Sequence, residues 1–421
     1  MSENRRKFLK SSAIGALGVG LLGNHACTND PKAATAAGIT ALGKDTINIG
    51  VVGTGSRGKW LMKLMQDIPQ LKINAICDIL PKRLEEAKNL ASKGATVYKD
   101  YEQLMNDSSV DAILNTTPLH LHTPVNIAAL QAGKHVYCEK TMTYSIEETP
   151  GLVDLIKNTP VVFQVGYQHR YNPLYQKVKQ LIQNNELGYI SHIECYWNRN
   201  GDWRRKVEDP ANEKIINWRL YREFSGGLMA ELSSHQMDIV NWMVEDNPES
   251  VMGYGGIDFW KDGRETYDNA HVLFAYPGGM KVDYKCLTTN RREGFQFNIY
   301  GKEASIQILG SNGHEAFIYS ENRDYKKAEA IEEETDGVSA ATEKAWAIGE
   351  PVPIKVPDAP DSDVTKEALK GFADCILTGK QPVAGYETGA NSSMMVHLAN
   401  NAMREQKILP WKSDYNYLKF T

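Results

Sequence analysis

A chain of 421 residues with 42% hydrophobic and 24% charged side chains is larger than a single core of roughly 100–200 residues, so two domains with sizeable cores are expected. The formal net charge is -5, with Lys and Arg spread along the chain rather than blocked, which leaves no electrostatic case for a nucleic-acid partner. Six cysteines (Cys27, Cys77, Cys138, Cys195, Cys286 and Cys375) show neither CxxC nor Cys/His ligand spacing, so no metal site is expected; Cys77 and Cys138 end apolar runs and read as small buried hydrophobes.

The chain begins with NRRKFLK (4–10), paired arginines ahead of the apolar run AIGALGVGLLG (13–23). That order predicts a twin-arginine export signal and a periplasmic or otherwise exported protein. The apolar run is too short to span a bilayer. Residues 24–45 read as cleavage region and leader, so 1–45 is set apart from the fold. Cys27 as a lipid anchor is the alternative, for which Asn24-His25-Ala26 is a poor recognition sequence.

From residue 46 to 165 strand and helix patterns alternate. INIGVVG (47–53), KINAICD (72–78), VDAILNTTP (110–118) and KHVYCEK (134–140) are near-continuous apolar runs, each followed by a helical pattern. This regular alternation predicts a doubly wound parallel sheet. From 166 to 421 the runs are longer and more aromatic, among them YISHIECYWNRNGDW (189–203) and NAHVLFAYPGGMKVDYKCLTT, with PGG (277–279) as a turn. They predict an antiparallel sheet. Residues 321–360, acidic and then Pro-rich, read as a surface loop, and two helical patterns close the chain.

The strongest local signal is GTGSRG, between a strand and a helix. Gly53 permits the tight turn, Gly55 lets the backbone approach a diphosphate, and Gly58 allows close helix–strand packing. Ser56 and Arg57 complete the loop, and phosphates rest at the helix N-terminus. Asp78 ends the second strand and is expected to accept hydrogen bonds from the ribose 2'-hydroxyl while repelling a 2'-phosphate. NAD is therefore expected over NADP, a preference that Arg57 and Arg83 soften.

With NTTPLHLH (115–122), GKHVYCEKTM (133–142), GYQHRYNP (166–173) and GGLMAELSSHQMDIVNW (226–242) added to the glycine loop, the chain resembles the glucose-fructose oxidoreductase, inositol dehydrogenase and MocA family over residues 46–407. The resemblance implies an α/β fold: an N-terminal Rossmann domain, then an α/β domain whose large open, mostly antiparallel sheet often forms a homo-oligomer interface. It also implies that Thr117, Pro118 and His122 line the nicotinamide side of the cofactor groove, with Glu139 and Lys140 matching the family's Glu-Lys-Pro. In such enzymes the lysine contacts both cofactor and reacting hydroxyl. A partly desolvated ammonium beside NAD has a lowered pKa and can help move the alcohol proton as hydride leaves. Thr141 departs from the family, which usually has a proline there, often after a cis peptide.

Glu231, His235 and Asp238 would share one face of a helix. His235 matches the family's catalytic histidine and suits general-base work near neutral pH, with Glu231 orienting it or touching substrate. Arg170, Tyr171, Asp238 and His169 are candidates for substrate contact; the alternatives are a helix cap or a pair with a carboxylate for Arg170, and a helix-stabilising partner for Asp238. Trp197, Trp203, Arg204, Trp218 and Tyr221 offer faces and donors for a sugar ring, or else sheet packing. The expected function is an exported NAD-dependent oxidoreductase acting on a sugar, glycoside or cyclitol hydroxyl through a tightly bound cofactor. Alternatives are an NAD-dependent glycosidase working by transient oxidation, elimination, hydration and re-reduction, and a non-catalytic NAD or sugar sensor.

Overall fold

The computed structural model describes residues 39, 41–310, 315–321, 351–356 and 363–420. The expected export signal, Cys27 and most of the acidic stretch lie outside these residues. Six strands, Ile47–Val52 (β1), Leu71–Cys77 (β2), Thr96–Tyr98 (β3), Ala112–Asn115 (β4), His135–Cys138 (β5) and Phe163–Val165 (β6), form one sheet in the order β3-β2-β1-β4-β5-β6. All its pairings are parallel, and β4 and β5 are buried along their whole length. A β-branched strand buried on both faces needs helices on both, and they are present. One face packs on Ser56–Met65 (α1) and Pro81–Lys88 (α2), through Leu61, Met62 and Leu84. The other, beyond the short helix Tyr101–Met105 (α3), packs on His122–Gln131 (α4) and Glu148–Lys157 (α5), through Val125, Leu152 and Val153.

The second sheet joins Ile190–Trp197 (β7), Ser250–Gly256 (β8), Asn269–Ala275 (β9), Lys281–Leu287 (β10), Phe295–Gly301 (β11), Ala304–Leu309 (β12), Glu315–Ser320 (β13), Val352–Pro353 (β14) and Leu409–Pro410 (β15). Its order is β14-β13-β12-β11-β7-β10-β9-β8-β15. Only the β7–β10 pairing among these is parallel. The hairpin β9–β10 turns at Pro277–Gly279, with Gly278 at φ 72°, a left-handed conformation that glycine adopts without steric cost. After Pro173–Gln183 (α6), the helix Ser234–Val244 (α7) joins the last helix, Tyr386–Glu405, in covering one face, where Val272, Phe274, Val282 and Phe297 are buried with Met237, Val240 and Met394. The opposite face carries the half-exposed His192, Glu194 and Asp283.

Two boundaries differ from the sequence reading. The strand expected over 189–203 stops at Trp197, because the Asn198 side chain takes the Leu287 N–H at 3.0 Å and donates to Arg292 O at 2.8 Å, turning the backbone out of the ladder. Residue 165 is also not a clean domain edge. The helix Val364–Thr378 (α8) returns to the first sheet, burying Leu369, Phe372 and Ile376 against the face that holds Ile49 and Leu114. Phe372 meets Tyr137 edge-on at 5.6 Å. Tyr386–Glu405 (α9) follows α8, and its first turns add Tyr386 and Ala390 to the other face.

Candidate active site

The parallel sheet directs three loops to one crevice, because β1 is flanked by β2 and β4 and the chain changes winding direction there, the place where open α/β sheets bind ligands. The glycine loop follows β1. Gly53 has φ +92°, and a Cβ there would lie 2.7 Å from Thr116 O; one at Gly58 would lie 2.2 Å from Gly53 O. Both positions admit only hydrogen, so the loop sits flush on the end of β4. Gly53, Gly55, Ser56 and Arg57 line a cavity of about 500 Å³ together with Thr117, Pro118, His122, Glu139, Lys140, Glu231 and His235. A loop of this shape at the start of a ten-residue helix fits a dinucleotide's diphosphate.

Asp78 is placed differently from the expectation. It is buried, and its carboxylate accepts Thr54 N–H at 2.8 Å, the Thr54 hydroxyl at 3.3 Å and Leu80 N–H at 2.9 Å. It braces the glycine loop from behind, and it is Arg83, 3.9 Å from that carboxylate, that lines the cavity. Arg57 lies over Trp60 and places Nε and Nη2 each 2.7 Å from Glu139 Oε1, so the glycine loop and the end of β5 are tied by an ion pair inside the cavity.

The Lys140–Thr141 peptide is cis. Thr141 also makes a contact proline could not, donating its hydroxyl to Ala230 O at 3.1 Å. Lys140 Nζ donates to Glu231 O at 2.7 Å and to Ala230 O at 3.3 Å, and its third N–H is left for the cavity. Both carbonyls belong to a π-helical turn, Met229–Ser233, a widened turn common at functional sites. Burial lowers the Lys140 pKa, against the opposing pull of Glu231 and Glu139. His122 sets Nδ1 2.7 Å from Thr141 O and Nε2 3.0 Å from Thr117 O, joining the lysine loop to the loop after β4.

Glu231 accepts Arg219 Nε at 2.6 Å. Burial alone would raise its pKa, but Arg219 and Lys140 hold the carboxyl below the usual range. His235 is pushed well below the ordinary imidazole value, by burial first and then by the Lys140 ammonium, and it is therefore neutral. Its Nδ1 has no hydrogen-bond partner among the described residues. The ring is boxed by Trp197 at 5.9 Å, Tyr167 at 6.0 Å and His169 at 5.0 Å. A neutral histidine and an ammonium facing one cavity can share a hydroxyl proton.

Other candidates lie elsewhere. Asp238 faces Arg170, whose Nε is 3.0 Å from both carboxylate oxygens and whose Nη2 is 2.7 Å from Oδ1, with both side chains buried. They form a structural pair outside the cavity. Tyr171 packs on Gly371, where a Cβ would lie 2.5 Å from its ring. Arg204 pairs with Asp262 and Glu213, and Tyr221 donates to Glu213 at 3.0 Å. Trp197, Trp203 and Trp218 do line the cavity, as do Gln168, Arg199, Arg205 and Arg219, which the sequence reading did not select. Among the described residues no group of three or more His, Cys, Asp or Glu side chains could hold a metal, and no helix is long and apolar enough to cross a membrane.

Residues 47–167 match the family model for the GFO/IDH/MocA oxidoreductases with an NAD-binding Rossmann fold, and residues 175–307 match that family's C-terminal domain. The chain is 23% identical over 365 residues to the myo-inositol 2-dehydrogenase of Thermotoga maritima, covering 86% of this chain and 97% of that protein. It is 26% identical over 271 residues to the NAD(+)-dependent scyllo-inositol 2-dehydrogenase of Bacillus subtilis, covering 63% and 72%. Among solved structures, levoglucosan dehydrogenase in complex with NADH and levoglucosan superposes with a TM-score of 0.70 at 17% identity, over 87% of this chain and 99% of that one. The aldose-aldose oxidoreductase of Caulobacter crescentus gives 0.69 at 17% identity, over 87% and 100%. The glycine loop, the lysine held by the π-turn carbonyls and these matches together make the chain a member of the GFO/IDH/MocA family of NAD-binding oxidoreductases.

Proposed function

We propose that the protein oxidises and reduces a hydroxyl carbon of a sugar, glycoside or cyclitol, with Lys140 and His235 handling the hydroxyl proton. The observation that carries this reading is the convergence of the Lys140 ammonium, neutral His235 and the glycine loop on one cavity. When bound, NAD supplies the hydride acceptor. The residues fit it: the loop presents α1, and Thr117, Pro118 and His122 continue the groove toward Lys140. The free N–H of Lys140 orients the alcohol oxygen, and the neutral His235 takes its proton as the C–H bond breaks. Glu231, locked by Arg219, fixes the turn whose carbonyls hold the lysine. Trp197, Trp203 and Trp218 supply faces on which a sugar ring can rest. The inositol dehydrogenases and levoglucosan dehydrogenase among its relatives support this substrate class.

We also propose export, which NRRKFLK and its apolar run support; outside the cytoplasm a tightly held cofactor would be recycled within the catalytic cycle or by a second substrate. The half-exposed face of the nine-stranded sheet is the proposed homo-oligomer interface, to be checked by light scattering. The test of function is to identify the released cofactor, then follow NADH absorbance and free aglycone with a panel of sugars, glycosides and cyclitols. NADH formation without aglycone is expected. Aglycone release without net NADH would replace this reading with the glycosidase, and silence in both would favour the sensor.

A further inference from the structure

The segment between β7 and the turn at Trp218–Leu220 is anchored to the second domain at every step. Asn198 is bonded to Leu287 and Arg292. Arg204 binds Asp262 at 3.2 Å and Glu213, and Arg264 ties Asp262 at 2.8 Å to Asp202 O at 3.0 Å. Asn217, buried, clamps Arg205 from both sides: Oδ1 accepts its N–H at 2.7 Å and Nδ2 donates to its carbonyl at 3.0 Å. Trp203, two residues earlier, holds φ 62°, a conformation a bulky side chain rarely adopts.

Two side chains leave this scaffold for the first domain, the exposed Glu208, which pairs with Lys82, and Arg205. Arg205 sets Nη1 2.9 Å from Ser56 Oγ, the first residue of α1 and part of the glycine loop. Three of the four other cavity arginines have carboxylates: Arg57 has Glu139, Arg219 has Glu231, and Arg83 lies 3.9 Å from Asp78. Arg199 lies over Trp203. Arg205 meets a neutral hydroxyl, while Arg219 and Arg83 repel it. A rigid backbone thus holds a guanidinium among like charges at the positive end of a helix, an arrangement that an anion completes.

The geometry points to Arg205 as a latch on the cofactor: it closes from the second domain over the glycine loop, binds the diphosphate, and makes cofactor release wait for it to withdraw. This rests on the function proposed above and adds the means by which the cofactor stays through turnover. The latch contains no covalent step. Because its backbone is fixed, the side chain is pre-positioned and loses little freedom on binding.

The test uses the full chain loaded with NADH, mixed with excess NAD in a stopped-flow instrument while bound-NADH fluorescence decays. Arg205→Ala is expected to release NADH on the order of tenfold to a hundredfold faster than wild type. Arg205→Gln, which keeps most of the side-chain length without the charge, should match it, and Arg205→Lys should recover part of the retention. Added salt should speed release from wild type more than from Arg205→Ala. Glu208→Ala breaks the exposed Lys82–Glu208 pair, the other crossing from this segment, and should change release less than about twofold. Wild-type rates in both Arg205→Ala and Arg205→Gln would overturn the latch and leave the proposed function standing. Equal acceleration by Glu208→Ala would also overturn it, since segment closure rather than the guanidinium would then retain the cofactor. A wild-type protein that takes up no NADH would overturn the proposed function and the latch together.

Discussion

Two carboxylates on one helical stretch each pair with an arginine and have opposite fates. Glu231 and Arg219 border the cavity, with Arg219 about a third exposed, whereas Asp238 and Arg170 are sealed at 1% and 5%. In an α-helix, seven residues make about two turns and both carboxylates would face the same way. Glu231 lies within the π-turn Met229–Ser233, whereas Asp238 belongs to the regular helix that follows it. Each joins a carboxylate to an arginine; what separates them is where the arginine comes from, the cavity wall 12 residues back for Glu231 and the buried junction after β6, 68 residues back, for Asp238.

The sharpest way to break this contrast is at the lysine the first pair supports. Lys140→Ala should lower kcat by about 10²–10⁴-fold with the fold retained, measured by steady-state turnover and circular dichroism. An alkaline fall in kcat at a pH below the ordinary lysine value of 10.5 would mark its lowered pKa. Next, Asp238→Ala should cost about 3–5 kcal/mol in denaturant unfolding, because it strands a buried guanidinium, while the folded fraction keeps its cofactor. A stable Asp238→Ala protein lacking only activity would return Asp238 to the site.

Acid should separate structure from chemistry further. Burial lowers His135 and His397 to about 4, and His135 Nδ1 must stay unprotonated to accept Val162 N–H at 2.9 Å. With folded pKa values below the unfolded 6.5, their contribution is complete above pH 6.5 and is lost as pH falls toward 4. At pH 5 the loss is on the order of 2 kcal/mol for each, read as a falling Tm. His397→Gln should flatten that slope. Glu231→Gln is expected to cost on the order of tenfold in kcat/KM and little stability, since Arg219 can still reach water. Comparable losses of stability in Glu231→Gln and Asp238→Ala would erase the contrast.

The parallel sheet, the glycine loop, Lys140 and His235 were legible because their signals are local: continuous β-branched runs, a turn only glycine can make, and short motifs in order. Asp78 was legible as a position but not as a direction, since whether a carboxylate points to ligand or to Thr54 N–H depends on the finished loop. Arg170 and Asp238 look like site residues in sequence because their pairing spans 68 residues. Arg205 and Arg219 left no signal at all. An arginine in an irregular segment reveals its partner only once two domains have closed, and the twisting-out of the chain after Trp197 depends on Asn198 reaching Leu287.

The return of α8 to the first sheet has a consequence for the order of synthesis. Leu369, Phe372 and Ile376 supply part of the face that a nucleotide-binding half would otherwise leave bare, so the ribosome must finish nearly the whole chain before that half can close. A fragment of residues 41–172 is accordingly expected to lack near-ultraviolet circular dichroism and to aggregate, and a soluble, NADH-binding fragment would refute this. On that expectation cofactor uptake follows translation, once the chain is long enough to supply α8.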